Sequence, residues 1–360
     1  MNKLNEARNK INTIDKEMAK LFEERMNASK MVAEYKAEYA LPIFDNAREL
    51  EVINKNSEYI VDPVIKEYYV QFLKETMNIS KSYQARLIKG LRVAYSGVEG
   101  AFAHIAASKM FPDAQYYSYR NFEEAYKSVE NGNCDVCVLP LENSFAGEVG
   151  VVMDLLFSGS LFINQVIELE VVHHLLAKKG TTKEQIKKVI SHPQAFSQCS
   201  KFINENKYDV IEAENTAYAA KFVSTSDEKE IAAIASLETA KLYDLEIVET
   251  NINEKRNNTT RFGAFTRSLN EQKSTNSNSH NILVFTVKNE AGALAKTLNI
   301  IGSYGFNMRS LRSRPMKELL WNYYFYVELE GNIDSIEGKE MLKALHVFCD
   351  KLKIVGRYSI

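Results

Sequence analysis

Two cations stand inside what should be the apolar face of a helix. Over residues 5–39 a 100° step per residue brings Ile11, Ile14, Met18, Leu21, Ala28 and Val32 within about 60° of one line, a single apolar stripe. Arg25 and Lys36 fall inside that stripe, and Arg8 lies toward its edge. About three helical turns, ~16 Å, separate Arg25 from Lys36, so both side chains can bend toward one small anion lying between them. A cation in such a place can also snorkel, or pair with Asp15, Asp45 or Glu49. Two cations buried without compensation cost several kcal/mol each, which makes an anionic ligand a natural counter-charge. Arg48 and Glu49 follow on a second helical run. Ser80 and Gln84, one turn apart on a third, add polar groups that can face inward.

A second set of reactive groups lies at the ends of apolar strand-like runs: Ser96-Gly97, Glu142-Asn143-Ser144, Ser191-His192, Asn215-Thr216 and Ser236. Any one of them reads as a helix cap. Together they favour a polar cleft at the carboxyl ends of strands, where open α/β sheets bind ligands. The run NNTTRFGAF, 257–265, belongs to this set. Its residues 260–265 are apolar and β-branched, yet Thr260 and Arg261 stand at the leading edge, followed by Phe262. A hydroxyl there can donate a hydrogen bond. The guanidinium can anchor a carboxylate bidentately or serve a structural ion pair. Glu142 and His192 are candidate proton relays. SGVEGAF has the wrong spacing for a dinucleotide loop. Cys134 and Cys137 form a CxxC inside CDVCVLPL, a buried strand, with no second pair or nearby His, so the pair reads as packing. No metal and no cofactor are expected.

The elements that must position these groups fall into three regions. A chain of 360 residues exceeds one ordinary core, which predicts two or three domains. With 45% hydrophobic and 26% charged residues it has the balance of a soluble globular protein. A net charge of -2 and short, interleaved basic runs argue against a nucleic-acid partner. No window approaches the ~20 apolar residues of a membrane span, and MNKLNEARNK lacks the apolar core of a signal peptide, so no membrane partner is expected and the cytoplasm is the expected location. Four scattered cysteines suit a reducing compartment.

Residues 1–88 hold no glycine and 2 of the 6 prolines, and read as three helices. The first would be roughly 50 Å long, longer than such a domain is wide, and needs a partner. The second follows LPIF with Asp45 as N-cap; the third starts at Asp62-Pro63. Residues 91–268 alternate strands (RVAYS, CDVCVLPLE, KVISH, DVIEA, IAAIAS) with helices, which predicts an α/β fold with largely parallel sheets. LFINQVIELEV and HHLLA, between the two groups of units, suggest two lobes and a central cleft. A polar linker occupies 269–279, within SLNEQKSTNSNSH. Residues 280–360 read in the βαββαβ order of a ferredoxin-like module.

On these residues the chain resembles known families. ARNKINTID…EERMNASKMVAEYK…FDNARELEVI…SKSYQ is similar to the all-helical chorismate mutases across 1–88. Arg8, Arg25, Lys36, Asp45, Arg48, Glu49, Ser80 and Gln84 match that family's substrate-site types. The resemblance implies an intertwined three-helix dimer in which Arg25 and the partner's Arg8 clamp the two carboxylates of chorismate, Arg48 supports Asp45, Lys36 and Gln84 bond the ether oxygen, and Asp45, Glu49 and Ser80 hold the ring hydroxyl. Lys36, Gln84 and Glu49 would be catalytic. VAYSGVEGAFAHIAA…VLPLENSFAGEV…SHPQAFSQC…NTAYAA…AAIAS…NNTTRF resembles prephenate dehydratase, whose most distinctive piece is TRF. That implies a two-lobed fold of the type II periplasmic-binding kind with Thr260 essential, and prephenate bound by Glu142, Asn143, Ser144, His192, Thr216, Thr260, Arg261 and Phe262. The last region resembles the ACT module that senses phenylalanine at a dimer interface, with Gly292, Ala293, Leu294, Ser313, Arg314 and Pro315 as effector contacts. One position departs: the family usually has an acid before Ser-Arg-Pro, and this chain has Arg312.

Taken together, the three resemblances imply a bifunctional chorismate mutase/prephenate dehydratase, at least dimeric, that converts chorismate through prephenate to phenylpyruvate with phenylalanine as effector. The rival from another class is a small-molecule sensor with an inactive mutase-like dimeriser, against which the full set of mutase residues argues. A mutase fused to a prephenate dehydrogenase would need the Gly-rich loop that is missing here.

Overall fold

A computed structural model describes residues 2–255, 257–270, 279–316 and 322–359. Of the linker expected over 269–279, residues 271–278 lie outside the described residues. The chain divides into two units between Arg92 and Val93.

The first unit consists of α1 (Lys3–Glu38), α2 (Asn46–Ser57) and α3 (Pro63–Lys89). Asp45 starts α2 by accepting the Arg48 N–H at 3.0 Å, and Asp62 starts α3 by accepting from Val64 and Ile65 ahead of the N1 proline. Gly90 ends α3 at φ 81°, a left-handed turn that a side chain would resist. Ala33 of α1 is buried, as are Leu73 and Met77 of α3. The apolar stripe of α1 differs from expectation. Ile11, Ile14 and Leu21 are 55%, 56% and 62% exposed, so nothing among the described residues covers this part of the stripe.

The second unit opens with β1 (Arg92–Ser96), α4 (Phe102–Met110), β2 (Gln115–Tyr119), α5 (Phe122–Glu130), β3 (Val136–Asn143), β4 (Gly147–Glu148) and α6 (Gly150–Ser158). The chain passes along β5 (Phe162–Glu170) into a second lobe of β6 (His174–Ala177), β7 (Lys188–Ser191), α7 (Pro193–Gln198), α8 (Ser200–Asn206), β8 (Asp209–Glu212), α9 (Thr216–Thr225), β9 (Ile231–Ala235), α10 (Leu237–Leu242) and β10 (Glu246–Glu249). It returns through β11 (Thr259–Thr266) and ends in β12 (Ser279–Val287), α11 (Ala293–Ser303), β13 (Asn307–Pro315), β14 (Tyr323–Glu330), α12 (Ile336–Phe348) and β15 (Cys349–Ser359).

Two sheets result, ordered β13-β14-β12-β15-β5-β11-β3-β1-β2, with β4 against β3, and β10-β6-β9-β7-β8. They are mixed rather than largely parallel. Pairs joined by strand-helix-strand crossovers, β1 with β3 and β7 with β8 and β9, are parallel. The strands that pass between lobes run the other way: β11 is antiparallel to β3 and β5, and β6 to β9 and β10. The C-terminal segment joins the first lobe edge to edge, where Gly356 of β15 meets Ile163 of β5. A Cβ at Gly356 would stand 3.0 Å from that of Ile163, so the close approach needs glycine. One apolar core then spans both, with Leu139, Leu156 and Phe265 packed in the same cluster as Ile282, Tyr326 and Val355.

Candidate active sites

In the helical unit α1, α2 and α3 enclose a cleft of about 340 Å³ lined by Arg25, Lys36, Asp45, Arg48, Glu49, Ser80 and Gln84. Seven of the eight residues expected to hold chorismate therefore converge. Arg8 does not. It is exposed on α1, 17 residues or ~26 Å of helix before Arg25, too far to reach this cleft in its own chain. Neither central cation meets a carboxylate among the described residues. Arg25 donates to Ser80 Oγ and, at 3.4 Å, to the Thr76 carbonyl; Lys36 donates to the Ile43 carbonyl at 2.6 Å. Burial lowers the pKa of the Arg25 guanidinium, the direction a cation takes when its counter-charge is missing.

Gln84 donates to Ser29 Oγ at 3.1 Å, and its Oε1 is buried with no partner among the described residues. Arg48 differs from the expected role: its backbone N–H, not its guanidinium, supports Asp45, and the guanidinium pairs with Glu51 at 2.7 Å across one exposed turn. Glu49 is met by Lys81 at 2.7 Å. Lys81 and Ser29 were missed in the sequence, where one reads as a surface lysine of a charged stretch and the other as a small helix-packing residue.

In the second unit a cleft of about 400 Å³ lies between the lobes and contains Asn143, His192, Thr216, Thr260 and Phe262. Thr260 is buried on β11, which pairs with β3 on one side and β5 on the other. Its Oγ1 accepts from Asn143 Nδ2 at 2.8 Å. The Asn143 amide can face only this way, since its Oδ1 accepts the N–H groups of Phe145 and Ala146, each at 2.9 Å. The Thr260 hydroxyl hydrogen is therefore free to point elsewhere. His192 caps α7 by accepting the Gln194 N–H at Nδ1, which leaves its proton on Nε2. Burial lowers its pKa, against the nearby Glu212, and favours the neutral ring.

No lysine or arginine is among the described residues lining this cleft. The N-termini of α4, α6, α7 and α9 line it instead, and those of α4 and α6 receive no side-chain cap. Unsatisfied N–H groups and the positive ends of helix dipoles hold carboxylates. His173, read in sequence only as part of a strand run, also faces the cleft. Its Nε2 meets Gln198 Oε1 at 2.9 Å, its Nδ1 has no partner among the described residues, and burial lowers its pKa to about 4. Glu148 and Glu214, the acidic residues of the lining, were missed as well. Ser236 caps α10 and lies outside the lining.

Three residues expected at the substrate lie outside the cleft lining. Glu142 and Arg261 are direct cross-strand partners one position from Asn143 and Thr260, and strand alternation turns them to the opposite face. There Arg261 donates to Glu142 at 2.7 Å and bidentately to the fully buried Glu328 of β14, both bonds at 3.0 Å. Burial pulls the Arg261 pKa down, but hydrogen bonds and charge from Glu328 outweigh it and leave it raised. Arg261 is thus held by the C-terminal segment. Ser144 is exposed and ties the hairpin to the start of β11, accepting the Thr259 N–H at 2.9 Å.

Of the residues expected at an effector, Gly292 precedes α11 at φ 82° and provides no side-chain cap, followed by Ala293 and Leu294 in the first turn. Ser313 and Pro315 are exposed on the outer strand β13. Arg314 is committed elsewhere, to Glu148 at 2.7 Å and Asp154 at 3.0 Å. Arg312 pairs with Glu142.

A helical unit whose cleft presents cations without a carboxylate partner, followed by a two-lobed α/β unit whose cleft is lined by helix N-termini, defines a two-site enzyme acting on small carboxylates. Family models agree: residues 7–85 match chorismate mutase type II, and residues 93–269 match prephenate dehydratase. The chain is 33% identical over 365 residues to a bifunctional chorismate mutase/prephenate dehydratase of Aquifex aeolicus, covering 99% of this chain and 98% of that one. It belongs to the bifunctional chorismate mutase/prephenate dehydratase family. A prephenate dehydratase from Staphylococcus aureus shares the fold over 75% of this chain and 100% of its own, at 26% identity and a TM-score of 0.65. Another from Arthrobacter aurescens, solved in complex with L-Phe, does so over 75% and 90% at 24% identity and a TM-score of 0.69.

Proposed function

We propose that residues 1–88 are a chorismate mutase domain, 91–268 a prephenate dehydratase domain, 269–279 a linker and 280–360 an ACT regulatory domain. The protein is a bifunctional enzyme of phenylalanine biosynthesis: it rearranges chorismate to prephenate, then converts prephenate to phenylpyruvate. The observation that carries this reading is the pair of clefts built for carboxylates in one chain, the first by Arg25 and Lys36, which meet no carboxylate among the described residues, the second by uncapped helix N-termini.

The mutase step breaks an ether C–O bond and forms a C–C bond in one rearrangement, so the site needs to compress the substrate and stabilise charge growing on the ether oxygen. Arg25 holds a carboxylate, and Arg8 of a second copy reaches the other. Lys36 donates to the ether oxygen together with Gln84, whose amide can turn once the ligand displaces its bond to Ser29. Asp45, Glu49 and Ser80 hold the ring hydroxyl. Dehydration expels the ring carboxylate as CO₂, sends its bonding pair into the ring and releases hydroxide, which takes up one proton to leave as water. Thr260, with its oxygen occupied by Asn143, directs its hydrogen at that leaving oxygen. The neutral His192 Nε2–H stands in the same cleft as a further donor.

The two passes between the lobes, β5 to β6 and β10 to β11, support the type II periplasmic-binding reading. The C-terminal order β13-β14-β12-β15, with α11 and α12, supports the ferredoxin-like reading. Its effector is phenylalanine, whose carboxylate the uncapped N–H groups after Gly292 would receive; Ser313 and Pro315 are exposed on the edge strand β13. Arg314 serves the dehydratase hairpin instead. A homodimer or larger homo-oligomer is proposed from the bare stripe of α1. No helix among the described residues is long and apolar enough to cross a membrane. Incubation with chorismate tests the whole reading: prephenate should appear and then give way to phenylpyruvate, while binding without turnover would leave the sensor reading in its place. Titration of the dehydration rate with phenylalanine tests the effector.

A further inference from the structure

We infer that Arg312 is a positioning residue for the dehydration step: it holds Glu142, and so fixes the β3–β4 hairpin on which Asn143 carries Thr260. The inference rests on the assignment of the Thr260 cleft to dehydration.

The hairpin contains a conflict that it cannot resolve alone. Glu142 of β3 and Glu148 of β4 are directly opposite each other. Like charges placed so repel and open a two-stranded turn. The same short hairpin supplies the Phe145 and Ala146 N–H groups that orient the Asn143 amide, and Asn143 pairs with Gly147 in the adjacent register position. Any splaying of Glu142 from Glu148 therefore moves the amide that holds Thr260.

Strand β13 resolves the conflict. Arg312 and Arg314 are two residues apart, hence on one face; Arg312 bonds Glu142 and stands 3.9 Å from Glu148, and Arg314 takes Glu148. Arg312 bonds Oε2 of Glu142 while Arg261 takes Oε1. Arg314 holds Glu148 at 2.7 Å, and its guanidinium passes so close to Gly150 that a Cβ there would stand 2.7 Å away. An acid at 312 would face Glu142 with the same sign. This chain thus completes its dehydratase site with a strand of the C-terminal segment, and the residue that departs from the usual acidic type is the one that does it.

The test measures phenylpyruvate formation from supplied prephenate, with the mutase rate of the same sample as a control for intact protein. Arg312→Met should lower kcat about tenfold with KM within about twofold, the split for a group that positions the reacting atoms rather than binds substrate. Arg312→Lys, which keeps the charge, should recover kcat to within about threefold of the unaltered protein. In a Glu142→Gln background Arg312→Met should add less than about twofold, because the two residues act as one unit. Unchanged kcat in Arg312→Met, a loss confined to KM, no recovery with lysine, or effects that multiply in the Glu142→Gln background would each overturn the inference. If the unaltered protein forms no phenylpyruvate, the reading beneath it fails instead.

Discussion

At the scale of single residues, chemistry turns on which way a hydrogen points. Thr260 is a poor acid, and its usefulness comes from Asn143 occupying its oxygen so that the hydroxyl hydrogen is left for the substrate. Thr260→Ala should abolish phenylpyruvate formation, by about 100-fold or more, while prephenate accumulates from chorismate; Thr260→Ser should keep most of the rate, since the donor remains. Asn143→Asp offers a sharper check. A carboxylate only accepts, so it would draw the Thr260 hydrogen to itself, and a loss of about 10- to 100-fold in kcat at unchanged fold is expected. An ordinary kcat in the Asn143→Asp variant would show that the direction of this hydrogen bond is immaterial. In the other unit, Lys36→Ala should stop prephenate formation and leave dehydration of supplied prephenate intact. Part of this was legible in the sequence: helical spacing placed Arg25 and Lys36 in one stripe, and of the polar strand ends expected to share a cleft, Asn143, His192, Asn215 and Thr216 do. Arg261 was not, although strand alternation already said that it and Thr260 point apart. What the sequence lacks is which face holds substrate and which holds Glu328, a residue 67 positions away.

Elements carry the next level, and the passes between the lobes decide both the sheets and the acid sensitivity of the second unit. Caps such as Asp45 and Asp62 are local signals and were readable, as were most strands. The direction of β5, β6, β10 and β11 depends on long return connections, so a parallel sheet was the natural but wrong expectation. The strand β2, QYYSY, was missed because two of its five residues are polar and exposed and none is buried. His173 sits where β5 hands over to β6, facing Phe102 of α4 edge-on at 5.8 Å between centroids. Its folded pKa of about 4 lies below the free value of ~6.5. Between the two, the unfolded chain binds a proton that the folded chain refuses. Stability is therefore complete above pH ~6.5 and falls as the pH drops toward 4, by up to ~3 kcal/mol. Thermal unfolding at pH 7 and pH 5 should show a smaller drop in Tm for His173→Gln than for the unaltered chain. Equal drops would mean that other groups govern the acid limb.

For the whole molecule, the question is whether one chain is a complete mutase. If Arg8 serves the mutase site as we propose, it is not. Arg8 lies ~26 Å along the helix from Arg25 and is exposed, and Ile11, Ile14 and Leu21, on the stretch between the two, are exposed as well. A two-fold dimer along this stripe would cover the apolar residues and carry Arg8 into the partner's cleft with one set of contacts, used twice. Mixed subunits test this directly. Arg8→Ala and Gln84→Ala should each inactivate the mutase as pure dimers. In a hybrid of the two, one cleft takes its Gln84 from the first chain and its Arg8 from the second and is intact, while the other cleft lacks both. Random reassortment gives half hybrids with one working site in two, so about a quarter of the unaltered mutase activity should return. If Arg8 served its own chain, every cleft in the hybrid would still lack one residue, and mixing would restore nothing. The dehydration rate should stay constant through the whole series, because neither substitution touches the second unit's cleft.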